Sequence, residues 1–389
     1  MNILKYLILS LFLLNIPSVL KVYKGDGIAS LTSYLSYSLL AGYYILSKKT
    51  NLNYWMIVVG LLFFSISCIT EDKYIPEETT EFIMYILKYF ITVICGYELL
   101  KYTSTRELTL FLLIGALTII LQIFFFNNPL LDSGRYSGFY LNPNVAGFIC
   151  LIGYGLSFAA QNKKFRLVLQ IIFTITGLLT FSRTFIVLWL LTNLISIKID
   201  IKNARVLLYG FVFLTIFVIF SEFLPVRNPR LDQLSSIIKG EKVQTSELNE
   251  GSRTETWSLY YDQLFQHPFL GSGYNTFSGY SNISKVGVHN TYLKIWGEGG
   301  LLVFVIFLGM YITMIKDALL LFKISPHLII ISLAVILFLT TNHNFFETGY
   351  ILFLSMWIQA EISRNYKEER LAEIISEEYQ KNKSNNLIR

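Results

Sequence analysis

The sequence predicts an all-α polytopic integral membrane protein, with about twelve transmembrane helices, one large outer loop and both termini in the cytoplasm. Three observations carry that prediction. Only 15% of the 389 residues are charged and 53% are hydrophobic, whereas a water-soluble domain usually has about 25% charged residues. The mean hydropathy of +0.52 points the same way. Apolar runs of about 17 to 22 residues recur along nearly the whole chain, each long enough to cross the hydrocarbon layer as a helix. Basic residues gather in alternate connections between those runs, the asymmetry that orients membrane helices.

Taken in order, the predicted spans are 3–21, 28–46, 54–70, 82–100, 107–126, 143–161, 165–181, 184–199, 206–222, 300–316, 326–341 and 350–363. No small-residue cleavage site follows the first run, "MNILKYLILSLFLLNIPSVLKVYKG", so it is expected to stay as a helix and not to be removed as a signal peptide. Only "TFSRTF" separates the seventh span from the eighth, which suggests a broken or tilted helix there. An even number of spans puts both ends on one side. With that side cytoplasmic, the inner segments and the tail hold nineteen of the 32 basic residues, and Lys21 and Lys24 depart from the pattern. The chain then divides into helices one to nine (1–222), the outer loop (223–299), helices ten to twelve (300–363) and a charged cytoplasmic tail (364–389). Within the loop, the polar stretch "RLDQLSSIIKGEKVQTSELNEGSRTETW" is expected to be partly helical and mobile, and "WSLYYDQLFQHPFLGSGYNTFSGY" to be folded. Cys68, Cys95 and Cys150 lie in apolar runs without C-x-x-C spacing. They are expected to be small buried hydrophobes, forming neither a disulfide nor a metal site.

Ionisable groups at bilayer depth are costly, and they tend to face a cavity or a partner. On the outer side five groups stand out. In "GRYSGFYLNPNVAGF", Asn142 is placed to cap a helix, Pro143 suits its first position and Asn144 falls in its first turn. A well-made helix start accounts for Asn142 and Pro143, but not for Arg135, which suits a phosphate or a lipid headgroup. In "LLTFSRTFIVLWL", Arg183 has apolar runs on both sides. It either snorkels to the interface or offers its two-pronged guanidinium to an anionic ligand. Arg253 in "GSRTETW" would, taken alone, make a surface ion pair. Gly271 and Gly273 in "HPFLGSGYNTF" permit positive backbone angles and the close approach of a ligand, with His267 beside them in a structural role.

The fifth group is "VGVHNTYLKIWGEGGLL", where Asn290 is a plausible helix cap and His289 stands just outside the helix. The positive end of a helix disfavours imidazolium, and a neutral imidazole can accept a proton as a general base. The same helix end also suits a phosphate. Lys88, inside the fourth span, is a further intramembrane cation.

In this order and spacing the pieces resemble the superfamily of O-antigen ligases and O-antigen or capsular polysaccharide polymerases, over about residues 107–345. Arg135, Gly138 and "NPN" match its Arg-x-x-Gly and Asn-x-Asn, and Ser182 with Arg183 its Ser-Arg pair. "GSRTETW" matches its Gly-x-Arg and Trp, and "HPFLGSG" its Pro and Gly-x-Gly. His289 and Asn290 are followed by nine residues and Gly300, but Val303 stands where the last glycine of its Gly-x-x-Gly belongs. The first four spans match in hydrophobicity alone.

The resemblance implies a glycosyltransferase of the bacterial inner membrane, with its active site on the outer face. It would take a glycan from undecaprenyl diphosphate and join it to a sugar hydroxyl of another lipid-linked unit. No cofactor and no metal are implied, and the outer segments show no Asp/Glu/His cluster at metal-ligand spacing. Arg183 and Arg253, with Arg135 behind them, then stabilise the diphosphate leaving group, and His289 is the base. Asn142, Asn144, Asn290, Gly271 and Gly273 fall to substrate binding, and Lys88, outside the resemblance, joins them as an intramembrane cation expected to face the same cavity. The implied partners are the lipid-linked oligosaccharide as donor and acceptor, the bilayer, and a chain-length regulator and flippase of the same pathway; no nucleic acid is implied. The loosened glycine motif favours a polymerase over a ligase that delivers finished glycan to lipid A-core. A lipid-linked oligosaccharide flippase is a second alternative. The lack of a repeat between the halves, and polar groups clustered on one face, speak against it.

Overall fold

A computed structural model describes residues 1–69, 79–130, 135–220, 253–279 and 284–387. The polar half of the predicted outer loop, residues 223–252, lies outside the described residues. The chain is all-helical, with no strand among the described residues. Helices fall on each of the predicted apolar segments: α1 (Asn2–Leu13) and α2 (Ile16–Lys24), α3 (Asp26–Leu46), α4 (Tyr54–Ile69), and α5 (Thr79–Ile91) running through a π turn (Thr92–Gly96) into α6 (Tyr97–Lys101). Then follow α7 (Thr105–Phe125), α8 (Pro143–Ser157), α9 (Lys163–Leu179), α10 (Arg183–Ile199) and α11 (Ala204–Phe220). Two short helices, α12 (Arg253–Ser258) and α13 (Tyr261–Gln266), precede α14 (Thr291–Leu320), α15 (Pro326–Leu339) and α16 (Gly349–Leu387). Three of the described helices are long and apolar enough to cross a membrane alone, namely Thr80–Lys101, Thr105–Phe125 and Thr291–Leu320, and the bent pair α1–α2 is a fourth only when counted as one span.

Four features depart from the expectation. The predicted span 3–21 is two helices meeting at 59°, because Asn15 takes a left-handed conformation (φ 55°) and Pro17 follows inside the next turn. Asn15 Nδ2 donates to the carbonyl of Phe139 at 3.2 Å, which holds the bend in place. Lys21 and Lys24 close α2, a helix with no buried side chain. The tenth helix begins at Thr291, as the Asn290 cap predicts, so the expected span boundary at 300 falls inside it, and Lys294 and Glu298 are buried inside the bundle. The charged tail is not separate from the last span, since α16 runs unbroken from Gly349 to Leu387. Of the three cysteines, Cys95 and Cys150 are buried but Cys68 is exposed.

The centre of the bundle is α8, in which every residue except Asn144 is buried. Lipid is as apolar as leucine, so close backbone approach and interhelical hydrogen bonds, not hydrophobicity, hold such helices together. Small residues give that approach. A β-carbon on Gly153 would lie 2.2 Å from the Phe173 ring, and one on Gly155 would lie 2.6 Å from Ile331. Across the helices, Tyr154 donates to Asn193 Oδ1 at 2.7 Å and Trp189 Nε1 to Thr174 Oγ1 at 3.0 Å. Residues of the predicted cytoplasmic connections meet one another in the same way. Lys5 pairs with Glu107 at 2.7 Å, Lys101 Nζ donates to the carbonyl of Asn51 at 2.7 Å, and Arg364 donates to the carbonyl of Lys101 at 2.8 Å.

Helix α14 is broken at Gly300 (φ 78°, ψ 176°). The break frees backbone groups that must find partners inside an apolar bundle. The turn after α13 supplies them: Ser272 N donates to the carbonyl of Gly297 at 2.7 Å, Gly273 N to that of Glu298 at 3.2 Å, and Leu301 N to that of Pro268 at 3.0 Å. Gly271 (φ 72°) and Gly300 lie back to back, and a β-carbon on Gly300 would be 2.1 Å from the Phe269 oxygen. Gly300→Ala is therefore expected to lower stability by at least about 2 kcal/mol through left-handed strain and this clash. Thermal unfolding in nanodiscs measures it, and an unchanged midpoint would show that the break can be straightened.

Candidate active site

The connection before α14 meets the connection between α15 and α16 through two histidines. His289 Nδ1 lies 3.1 Å from His343 Nδ1, and the rings meet edge to face with centroids 4.6 Å apart. Three contacts fix this meeting. Thr291 Oγ1 donates to the carbonyl of Asn342 at 2.6 Å, Tyr292 donates from its hydroxyl to that of Ile336 at 2.9 Å, and Lys294 Nζ pairs with Glu347 Oε1 at 3.1 Å. Asn290 caps α14, its Oδ1 accepting from the amides of Tyr292 and Leu293 at 3.0 and 3.2 Å. His289, just before the cap, is held at φ 48°, a left-handed conformation that histidine tolerates better than most residues but that still carries strain. Gly287 leaves room for the partner ring, since a β-carbon there would be 2.7 Å from His343 Nε2.

Both imidazoles are neutral near pH 7. Burial, helped by the positive charge of Arg253, lowers the pKa of His289 to about 4. Burial, then the charges of Lys294, His289 and Arg253, bring His343 down to about 2. The dominant cause at His289 is thus burial rather than the helix end considered in the sequence. Two neutral rings joined Nδ1 to Nδ1 need one N–H and one lone pair. When His289 donates, its Nε2 lone pair is available as a base. When His343 donates, Nε2 of His289 carries the proton and cannot act.

A second group forms where the N-termini of α8 and α10 lie side by side. Asn144 Oδ1 accepts from Arg135 Nη2 at 3.2 Å and from Ser182 Oγ at 3.0 Å, and Arg135 Nε donates to the carbonyl of Thr180 at 3.2 Å. Asn142 caps α8 by accepting from Asn144 N at 2.9 Å. Ser182 caps α10 by accepting from Phe185 N at 3.3 Å. Both asparagines and part of the Arg135 guanidinium are therefore engaged within the chain. Arg183 is exposed at the first position of α10. Arg253 opens α12, half-buried, with its charge bearing on both histidines. The close approach that Gly271 permits is to the chain's own backbone at Glu298, and Gly273 donates to that same carbonyl.

Lys88 lines a cavity of about 410 Å³ whose wall includes Leu141, next to Asn142, and Asn344, next to His343. The cavity thus touches the connections that carry both groups. His343, Lys294, Glu298 and Glu347 were not singled out in the sequence. The available signal was "TTNHNFFETGY", a polar connection holding a second His-Asn and a glutamate between apolar runs.

Residues 168–308 match the family model described as O-antigen ligase. The matched segment is 141 of the 389 residues, so this part of the chain is similar to that family. The matched segment includes Ser182, Arg183, Arg253, Gly271, Gly273, His289 and Gly300, while Lys88, Arg135 and His343 lie outside it. The match is narrower than the stretch over which the motifs resemble the superfamily. No curated protein matches the chain. That similarity, in a chain with helices long enough to cross a membrane, points to a polysaccharide ligase or polymerase role and a glycosyltransferase-like activity in general.

Proposed function

We propose that the protein is a polysaccharide polymerase, transferring a glycan from undecaprenyl diphosphate to a sugar hydroxyl of another lipid-linked repeat unit. The observation that carries this reading is the His289–His343 contact beside Arg253, directly before the capped helix in the segment similar to the O-antigen ligase family. In the reaction, the acceptor hydroxyl oxygen forms a bond to the anomeric carbon of the donor sugar. The bond from that carbon to the diphosphate oxygen breaks, and the diphosphate leaves with the electron pair. The hydroxyl proton passes to His289 Nε2, and the resulting imidazolium keeps its Nδ1–H directed at the His343 lone pair. Fixed positive charge at Arg183 and Arg253, with Arg135 behind, meets the charge that develops on the diphosphate; such preorganised charge is often the largest part of a rate enhancement. These groups supply a base and a charge clamp without a metal.

The same reading places twelve spans in the bacterial cytoplasmic membrane, both termini inside and the site on the outer face. The choice of acceptor rests on Val303, fully buried where the related motif has a glycine. A ligase delivering glycan to lipid A-core is the second reading, favoured by the family description itself.

A deletion strain, complemented with wild type, His289→Asn, Arg183→Ala and Arg253→Ala, tests the proposal through its surface-glycan ladder on a gel. The polymerase reading expects long chains to disappear while a single repeat still reaches the surface. Accumulation of long lipid-linked chains unattached to lipid A-core would establish the ligase instead. Full ladders from all three variants would remove the assigned roles.

A further inference from the structure

The cavity around Lys88 has a composition that the transfer step alone does not require. Lys88 lies on Thr80–Lys101, one of the membrane-crossing helices, about two turns in from its N-terminal end. Its ammonium sits 5.8 Å from the ring centroids of both Tyr34 and Tyr37. Among the described residues no carboxylate stands at ion-pair distance from it. Glu347, which also lines the cavity, is already held by Lys294 at 3.1 Å. A cation at this depth without a counter-charge is costly, so an anionic occupant would complete the site.

The rest of the wall narrows the kind of anion. Ser36, Asn15 and Asn344 offer hydroxyl and amide groups, and Tyr37 offers an aromatic face, around a volume of about 410 Å³. Aromatic faces with a few convergent polar groups are what a sugar ring needs, and the volume falls in the range of small-molecule pockets. A diphosphate is best matched by the two-pronged guanidinium groups of arginines. A single ammonium is a compact point charge and suits a monoanion. The wall also reaches Asn344, next in sequence to His343, the partner of the base.

We propose that this cavity is a subsite for an acidic sugar of the lipid-linked glycan, with Lys88 meeting the sugar carboxylate. The proposal rests on the glycan-transfer reading above and names one of the sugars that the transfer selects.

Ligand-observed NMR on the full-length protein in nanodiscs tests it, by proton saturation transfer for methyl β-glucuronide and methyl β-glucoside and by phosphorus-31 line broadening for inorganic pyrophosphate. The wild type is expected to bind the glucuronide at least about tenfold more tightly than the glucoside, a difference of about 1.4 kcal/mol. Lys88→Met is expected to abolish that preference, Lys88→Arg to retain it, and pyrophosphate binding to stay unchanged in Lys88→Met while falling in Arg183→Ala. Equal binding of the two glycosides by the wild type overturns the proposal, as does a preference that survives in Lys88→Met. Loss of pyrophosphate binding in Lys88→Met also overturns it and assigns the lysine to the lipid diphosphate. Failure of the wild type to bind pyrophosphate counts against the arginine clamp alone, because the glycoside preference is read separately.

Discussion

His289→Asn is expected to slow glycan transfer by about 10² to 10⁴-fold, the usual contribution of a positioned general base. Asparagine is the informative replacement because it tolerates the left-handed backbone that His289 adopts, at φ 48°. The chain should therefore fold while losing the base. The pH dependence of the wild type follows from burial of the ring, which puts its pKa at about 4. Above about pH 5 the ring is already neutral, so the rate is flat toward neutral pH. It falls as pH drops through about 4 and the base becomes protonated. His343→Asp places a carboxylate against the same Nδ1, with Arg253 and Lys294 still nearby. A carboxylate favours the charged ring, so the acid limb should move to higher pH. A lowered rate with an unmoved limb would mean that His343 only packs against its partner.

Breaking the Lys294–Glu347 pair is the second large effect. Lys294 is 2% exposed and Glu347 27% exposed in their side chains. Lys294→Met leaves the glutamate without its counter-charge, and losing one partner of a buried pair costs about 3 to 5 kcal/mol. The lower end applies here, about 3 kcal/mol, because Glu347 keeps some contact with solvent. The pair also ties the connection bearing His343 to the start of α14, so activity should fall together with stability. Lys294→Met combined with Glu347→Leu removes both charges of the pair, and stability should recover in part only, because buried Glu298 still lacks the nearby Lys294 charge. Thermal unfolding in nanodiscs distinguishes the cases. A single variant as stable as the wild type would show that the pair contributes nothing.

Most of the fold could be read from the sequence because apolar runs and helix caps are local signals. Asn142 with Pro143 announces the start of α8, and Asn290 the start of α14, from a few adjacent residues. The failures come from contacts between distant residues. The burial of Lys294 and Glu298 rests on such contacts, since Lys294 pairs with Glu347 and Glu298 accepts from the Phe277 amide at 2.9 Å. The bend at Asn15 depends on the carbonyl of Phe139, far along the chain. At the site, the motif residues could be named singly, but their company could not. Nothing near His289 in sequence points to His343. Nothing in "HPFLGSG" shows that its glycines fill the break at Gly300 rather than waiting for a ligand.

The central claim is that this chain alone joins lipid-linked glycans through His289. The direct test is a reaction of the purified protein in nanodiscs with an undecaprenyl-diphosphate-linked repeat unit, in the presence of EDTA and without lipid A-core. The account predicts a ladder of longer lipid-linked glycans with release of undecaprenyl diphosphate, and no ladder from His289→Asn. An equal ladder from His289→Asn, or product formed by the wild type only after lipid A-core is added, would contradict it.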